Sequence, residues 1–192
     1  MVSQPKRGVR PVSSTPRRSD AVANRTKVVA AARDAFASEG FEVSLDEIAR
    51  RAGVGAGTVH RHFATKAELI DTVLAAAVDD LAVAAASRAS SDDAGAALRA
   101  FVVQLVTEGA TAHDLAARLH IGADDQGTAL TTAVANLDRA MGVLLTRARA
   151  AGAIRDDIDE RDLAAIVAAA HTAYTHPAGG DRALALVLRT LD

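Results

Sequence analysis

Three of the four prolines in this chain, Pro5, Pro11 and Pro16, lie in its first sixteen residues, and the fourth is Pro177. Proline removes a donor from the helical ladder and clashes with the preceding turn, so the long stretch between Pro16 and Pro177 contains no obligatory helix breaker. About a quarter of the residues are alanine, the best intrinsic helix former. No alternating run long enough for a useful strand is visible, and no repeat. A chain of 192 residues buries roughly 70% of its unfolded surface and needs no covalent staple. The expected fold class is all-α.

Composition then excludes several kinds of chemistry. Cysteine is absent, so thiol catalysis, cysteine-ligated zinc, iron–sulfur clusters and disulfides all fall away. Charged or polar residues interrupt every hydrophobic stretch before the ~18 residues of a membrane span. Aromatic residues make up 3% and tryptophan is missing, which argues against stacking platforms for single-stranded nucleic acid. There is no nucleophile elbow, no P-loop and no glycine-rich strand-to-helix turn, so no enzyme activity and no cofactor is expected. The net charge of −2 hides a division. Residues 1–66 carry twelve Lys/Arg and six Asp/Glu, a net of +6, whereas residues 67–192 carry ten and eighteen, a net of −8. A basic end on an acidic chain points to nucleic acid or an acidic surface as its partner.

Residues 1–20 hold Lys6, Arg7, Arg10, Arg17 and Arg18 against Asp20 alone. Such a segment cannot offset its ordering entropy by burial and predicts a disordered basic arm. Two readings of it stay open, a solubilising tail and a DNA-contacting arm. Its Arg- and Ser-rich make-up superficially resembles a transit peptide, but its prolines break any amphipathic helix. From Asn24 onward, Val28, Ala32, Ala35 and Phe36 share one helix face, which stops at Gly40. Ser44-Leu45-Asp46-Glu47 reads as a capping box in which Ser44 caps and Glu47 reaches back. The helix it opens ends at Gly53, and a short third helix carries Thr58 to Phe63. Thr65 to Glu68 reads as a second capping box and opens a long fourth helix. Beyond the polar break at residues 87–93, Leu98, Phe101, Val102 and Leu105 mark one helix, and a shorter one is expected over residues 112–121. Longer helices follow around Leu130–Leu144, Leu163–Tyr174 and Leu184–Leu191. About nine helices are expected, divided into an arm (1–20), a three-helix domain (21–66) and a helical domain (67–192).

The chemistry concentrates in the three-helix domain. Two short helices joined by a tight glycine turn and braced by a third form a helix-turn-helix, whose second helix fits the major groove of duplex DNA. Val54 and Val59 point to the core, leaving Gly55, Ala56, Thr58 and His60 outward. The small residues Gly55, Ala56 and Gly57 allow close backbone approach. Thr58 offers a hydroxyl to a base edge or phosphate and a methyl to thymine. Lys66 opposes the dipole of the helix it opens, and a phosphate partner would account for it there.

The ordered set Val28 to Phe36, Glu39-Gly40-Phe41, Ser44 to Ala49, Ala52-Gly53-Val54, Gly57 to Phe63, Lys66 and Leu69 resembles the TetR family of bacterial regulators. That resemblance implies a homodimer bound to a palindromic double-stranded DNA operator and released by a small-molecule effector. It further implies a repressor of the bacterial cytoplasm, associated with the nucleoid. Ser44, Ala56, Thr58, His60, His62 and Lys66 align with positions that commonly touch DNA in the family, and Gly55 joins them on the outward face. The chain departs from the pattern at His60, where the family usually carries tyrosine. A ring N–H can replace the phenolic hydroxyl, either as a neutral donor or as a contact that follows pH, because histidine titrates near neutrality.

The second domain carries a weaker pattern. Its final segment, from Gly180 onward, resembles the closing helix of many TetR regulators, and the family pairs its last two helices across a two-fold axis. Residues 161–176 and 181–192 are therefore the expected dimer face, with the small residues Ala164, Ala165, Ala168 and Ala169 allowing close approach. Phe101, Leu105, His113, His120, Leu137, Met141, His171 and Tyr174 are the candidate lining of an effector pocket. The histidine spacings, seven and five, are not the i, i+4 pair that places two zinc ligands on one helix face. The alternatives are a DNA-binding protein without an effector, and a helical small-molecule-binding protein or enzyme whose basic arm is only a solvated face.

Overall fold

The computed structural model describes residues 16–118 and 127–191, with side chains at residues 19–107 and 127–191. Among these residues the chain is helical throughout, without strands. Its elements are α1 (Pro16–Glu39), α2 (Leu45–Ala52), α3 (Ala56–His62), α4 (Lys66–Arg88), α5 (Ala94–Arg118), α6 (Thr128–Ala150), α7 (Glu160–Thr175) and α8 (Asp181–Leu188), closed by a 3-10 turn at Arg189–Leu191. The chain divides into two compact units, Met1–Thr65 and Lys66–Asp192.

Two boundaries differ from the sequence reading. α1 opens at Pro16, so residues 16–20 are helix rather than part of a disordered arm. Proline is well suited to a first helical turn, where its missing N–H would have no partner and its fixed φ is already helical. The rest of the arm, residues 1–15, lies outside the described residues. The two helices expected over residues 98–105 and 112–121 are one continuous α5 as far as Arg118. Gly109 is the weakest helix former between them, and its cost of about 1 kcal/mol does not break a helix that runs on through alanine-rich sequence. Eight α-helices are thus seen among the described residues, where about nine were expected.

In the first unit, Val28, Ala32, Ala35 and Phe36 of α1 meet Ile48 and Ala49 of α2 and Val59 and Phe63 around α3, all buried. Phe41 leans on Phe36 with ring centroids 5.1 Å apart. This core is small, so polar devices at the helix ends set the chain path. Ser44 is extended and accepts the Glu47 N–H at 3.2 Å on its Oγ, which starts α2. Gly53 ends α2 at φ +66°, a left-handed conformation that costs a residue with a Cβ, and Val54 N–H closes on the Ala49 carbonyl at 3.0 Å.

In the second unit the core is a cluster running through Leu98, Phe101, Val102 and Val106 of α5, Leu144 and Leu145 of α6, Leu163 and Ala170 of α7, and Leu184 of α8. α7 starts on a reciprocal capping box that follows directly on the acidic run Asp156-Asp157-Ile158-Asp159. Asp159 Oδ1 accepts from Arg161 N–H (2.7 Å) and Asp162 N–H (2.9 Å), while Asp162 Oδ2 accepts from Asp159 N–H (3.0 Å). These bonds, first from Asp162 and then from Arg161, hold the Asp159 carboxyl below its usual range. No helix among the described residues is long and apolar enough to cross a membrane.

Candidate nucleic-acid interface

α3 is the element whose two faces differ most sharply in the first unit. Val59 is fully buried and Phe63, its C-cap, packs beside it. Gly55, Ala56, Gly57 and His60 are exposed, and Thr58 and His62 are half-buried. Val54 is half-buried at the turn. A seven-residue helix anchored by one buried valine and a terminal phenylalanine has little else to hold it, which leaves its small-residue side bare for close approach to a surface. Arg61 lies outside the expected set, yet it is an exposed cation on this helix, and its Nε donates to the Gly57 carbonyl at 3.1 Å.

Ser44 is exposed at the head of α2, its hydroxyl oxygen engaged by the Glu47 N–H. The expected capping box is only half made. Instead of reaching back to Ser44, the Glu47 carboxylate turns along the helix to Arg50, with Nε–Oε2 at 2.8 Å and Nη2–Oε1 at 2.6 Å, and to Arg51, with Nε–Oε1 at 2.8 Å. Charge-assisted bonds from guanidinium outweigh one bond from a backbone amide that water can also satisfy. These arginines, Arg50 first, bring the Glu47 carboxyl down to about 2. Lys66 is half-buried and, as the first residue of α4, belongs to the second unit.

The candidate pocket residues of the second unit sort differently. Phe101 is fully buried, and Leu105, Leu137, Met141 and Tyr174 pack half-buried against the same apolar cluster. His171 is half-buried. The His113 side chain and His120 lie outside the described residues. Two clefts run along α6 and α7. One of about 460 Å³ is lined by residues that include Asp138, Val143, Arg147 and Glu160, and one of about 230 Å³ by Met141, Leu163 and others. Met141 is the one expected pocket residue that lines either of these two clefts.

On the expected dimer helices, Ile166, Val167, Val187 and Leu188 are half-buried against the chain's own core, and Leu184 is buried in it. The small residues expected on that face, Ala164, Ala165, Ala168 and Ala169, are exposed, and Leu186 is left 55% exposed. His176 closes α7, and its Nδ1 accepts the Ala178 N–H at 3.1 Å, a turn-forming role.

Comparison with known proteins agrees with this architecture. Residues 28–73 match the family model for bacterial regulatory proteins of the tetR family, and residues 93–192 match the model for the C-terminal domain of SbtR-like transcriptional regulators. A TetR transcription regulatory protein from Mycobacterium vanbaalenii is 32% identical, with 92% of this chain and 99% of that one aligned at a TM-score of 0.69. A TetR transcriptional regulator from Streptomyces coelicolor is 31% identical, with coverage of 87% and 97% and a TM-score of 0.69. An HTH-type transcriptional regulator from Staphylococcus aureus is 42% identical over 53 residues, a match confined to 27% of this chain and 29% of that relative. With both family models and full-length structural relatives in agreement, the chain belongs to the TetR family, whose members are DNA-binding transcriptional regulators and not enzymes.

Proposed function

We propose that this chain is an effector-responsive repressor that binds a palindromic operator as a homodimer and lets go when a small molecule occupies its second unit. The observation that carries the DNA half of this reading is the bare, small-residue side of α3 opposite buried Val59. One such helix reads few base pairs, so useful selectivity calls for two half-sites about one DNA turn apart, roughly 34–36 Å. The alanine row of α7 and exposed Leu186 of α8 form the proposed two-fold contact. An effector would favour a spacing of the two recognition helices that no longer fits successive grooves, a population shift between two states. In the cell the protein would act in the cytoplasm on the nucleoid.

Selection of duplexes from a random library, followed by salt titration, tests the reading. The wild type should enrich a two-fold-related sequence. Lys66→Ala should lower affinity for every duplex and reduce the slope of log affinity against log salt by about one unit, as loss of one phosphate contact requires. Thr58→Ala should weaken the enriched site more than random DNA. Failure to enrich any sequence sinks the operator reading, and an unchanged salt slope in Lys66→Ala sinks the phosphate assignment.

A further inference from the structure

The helix-turn-helix is gripped by α1 at two places, and one grip is ionic. Glu39 is the last residue of α1, and its Oε1 lies 2.6 Å from Arg51 Nη1. The same guanidinium bonds Glu47 one turn earlier on α2 at 2.8 Å, so Arg51 joins two helices through two different edges of its planar fork. Toward the other end of α1, the Arg25 guanidinium sits 5.0 Å from the centroid of Phe63, the residue that caps α3. The two grips are fourteen residues apart along α1, about 21 Å at the helical rise.

The apolar contact between α1 and α2 is less directional than this bridge. Ala32, Ala35 and Ala49 bring the two helices close, and Val28, Phe36 and Ile48 supply the bulk. Apolar burial is non-directional, and smooth alanine faces interlock poorly. A bidentate guanidinium is directional.

We propose that the Glu39–Arg51–Glu47 bridge is a specificity clamp, in which Arg51 is a positioning residue that fixes α2, and through the tight turn α3, for sequence-selective duplex recognition. The proposal rests on the operator reading above. Arg51 holds the Glu39 carboxyl below its usual range, and Arg50 with Arg51 brings that of Glu47 down to about 2. In this pair the Arg51 side chain is 28% exposed and that of Glu39 50%, so the bridge stands partly in solvent and acts through its geometry rather than its strength.

Charge and positioning predict different results for Glu39→Gln, an unchanged selectivity ratio from charge alone and a lowered one from positioning, which makes the clamp testable. Removing an acid from a DNA-binding unit strengthens binding to any duplex if electrostatics alone matters. The probes are the duplex enriched by the wild type and a scrambled duplex of equal length, with folding verified by circular dichroism. In Glu39→Gln the ratio of enriched to scrambled affinity should fall about threefold, within the range of an ion pair at a protein surface. Arg51→Lys keeps the charge but loses the fork, so it should lower the ratio while leaving scrambled-duplex affinity unchanged. An unchanged ratio in either variant overturns the clamp. A wild type with no preference between the duplexes removes the operator reading and the clamp with it, an outcome visible before any variant is made.

Discussion

The two units of this chain are held together by different physics. In the first, a small core is trimmed by directional devices: the Ser44 cap, the left-handed Gly53, and a Glu47 carboxylate shared by two arginines. In the second, a broad apolar cluster spanning α5 to α8 does most of the work, and Phe101 lies at its centre without exposure. Directional devices require particular residues at particular spacings and leave a trace that can be read and matched. Apolar volume can be filled by many side chains, so it leaves only a composition and a period. The same contrast explains why the proposed DNA-facing residues stand out one by one while the effector candidates merge into the core.

The largest effect expected from this contrast is in the second unit. Phe101→Ala should cost about 3–5 kcal/mol by leaving an unfilled cavity in a fully packed site. Urea unfolding followed by circular dichroism measures it, and a loss under about 1 kcal/mol would mean that the cluster is looser than its burial indicates. Next comes the proposed two-fold contact. Leu186→Glu changes a side chain that is 55% exposed within its own chain, so monomer stability should barely move. Dimer affinity should nevertheless fall on the order of a hundredfold, since a charge would be buried without a partner. Sedimentation velocity across a concentration series decides this, and an unaltered dimer excludes Leu186 from the contact.

Smaller effects belong to the first unit. Ser44→Ala should destabilise it by about 1 kcal/mol through loss of the bond from Glu47 N–H, and Ser44→Gly by only a few tenths. Equal losses in the two variants would show that the cap contributes nothing. The smallest signal is in the acid limb. Glu47 has a folded-state pKa depressed to about 2, so its contribution is fully present above the ordinary carboxylate range and is lost as pH falls toward 2. Glu47→Gln should therefore flatten the loss of stability between about pH 4.5 and 2 while leaving the curve above pH 5 parallel to the wild type. A thermal melt series across that range gives the slope directly. An identical acid limb would mean that the Arg50 and Arg51 contacts do not persist in solution.

Much of the first unit is legible from the chain alone because its signals are local. Ser44 three residues before Glu47, Gly53 after an apolar face, and Val59 within a small-residue segment each specify backbone geometry over one or two turns. The capping box shows where local reading fails. Glu47 has two competing sets of donors, and the choice of Arg50 and Arg51 depends partly on Arg51 being anchored by Glu39 from another helix. The Asp159–Asp162 box was missed for a related reason, since aspartate at both positions inside an acidic run reads first as a solvated turn. α5 was divided because the apolar marks thin out around Gly109, although nothing there is strong enough to stop a helix.

What the sequence by itself determined is the all-helical class, the helix-turn-helix and the family, because helical period, caps and turn glycines act between neighbours a few residues apart. Only the tertiary structure decided which apolar residues of α7 and α8 the chain keeps for itself, leaving Leu186 and an alanine row outside. It alone showed that Phe101, Leu105, Leu137, Met141 and Tyr174 form part of one packed cluster. Those outcomes depend on the volume left between helices distant in sequence, and a periodic pattern specifies a face without specifying what will cover it.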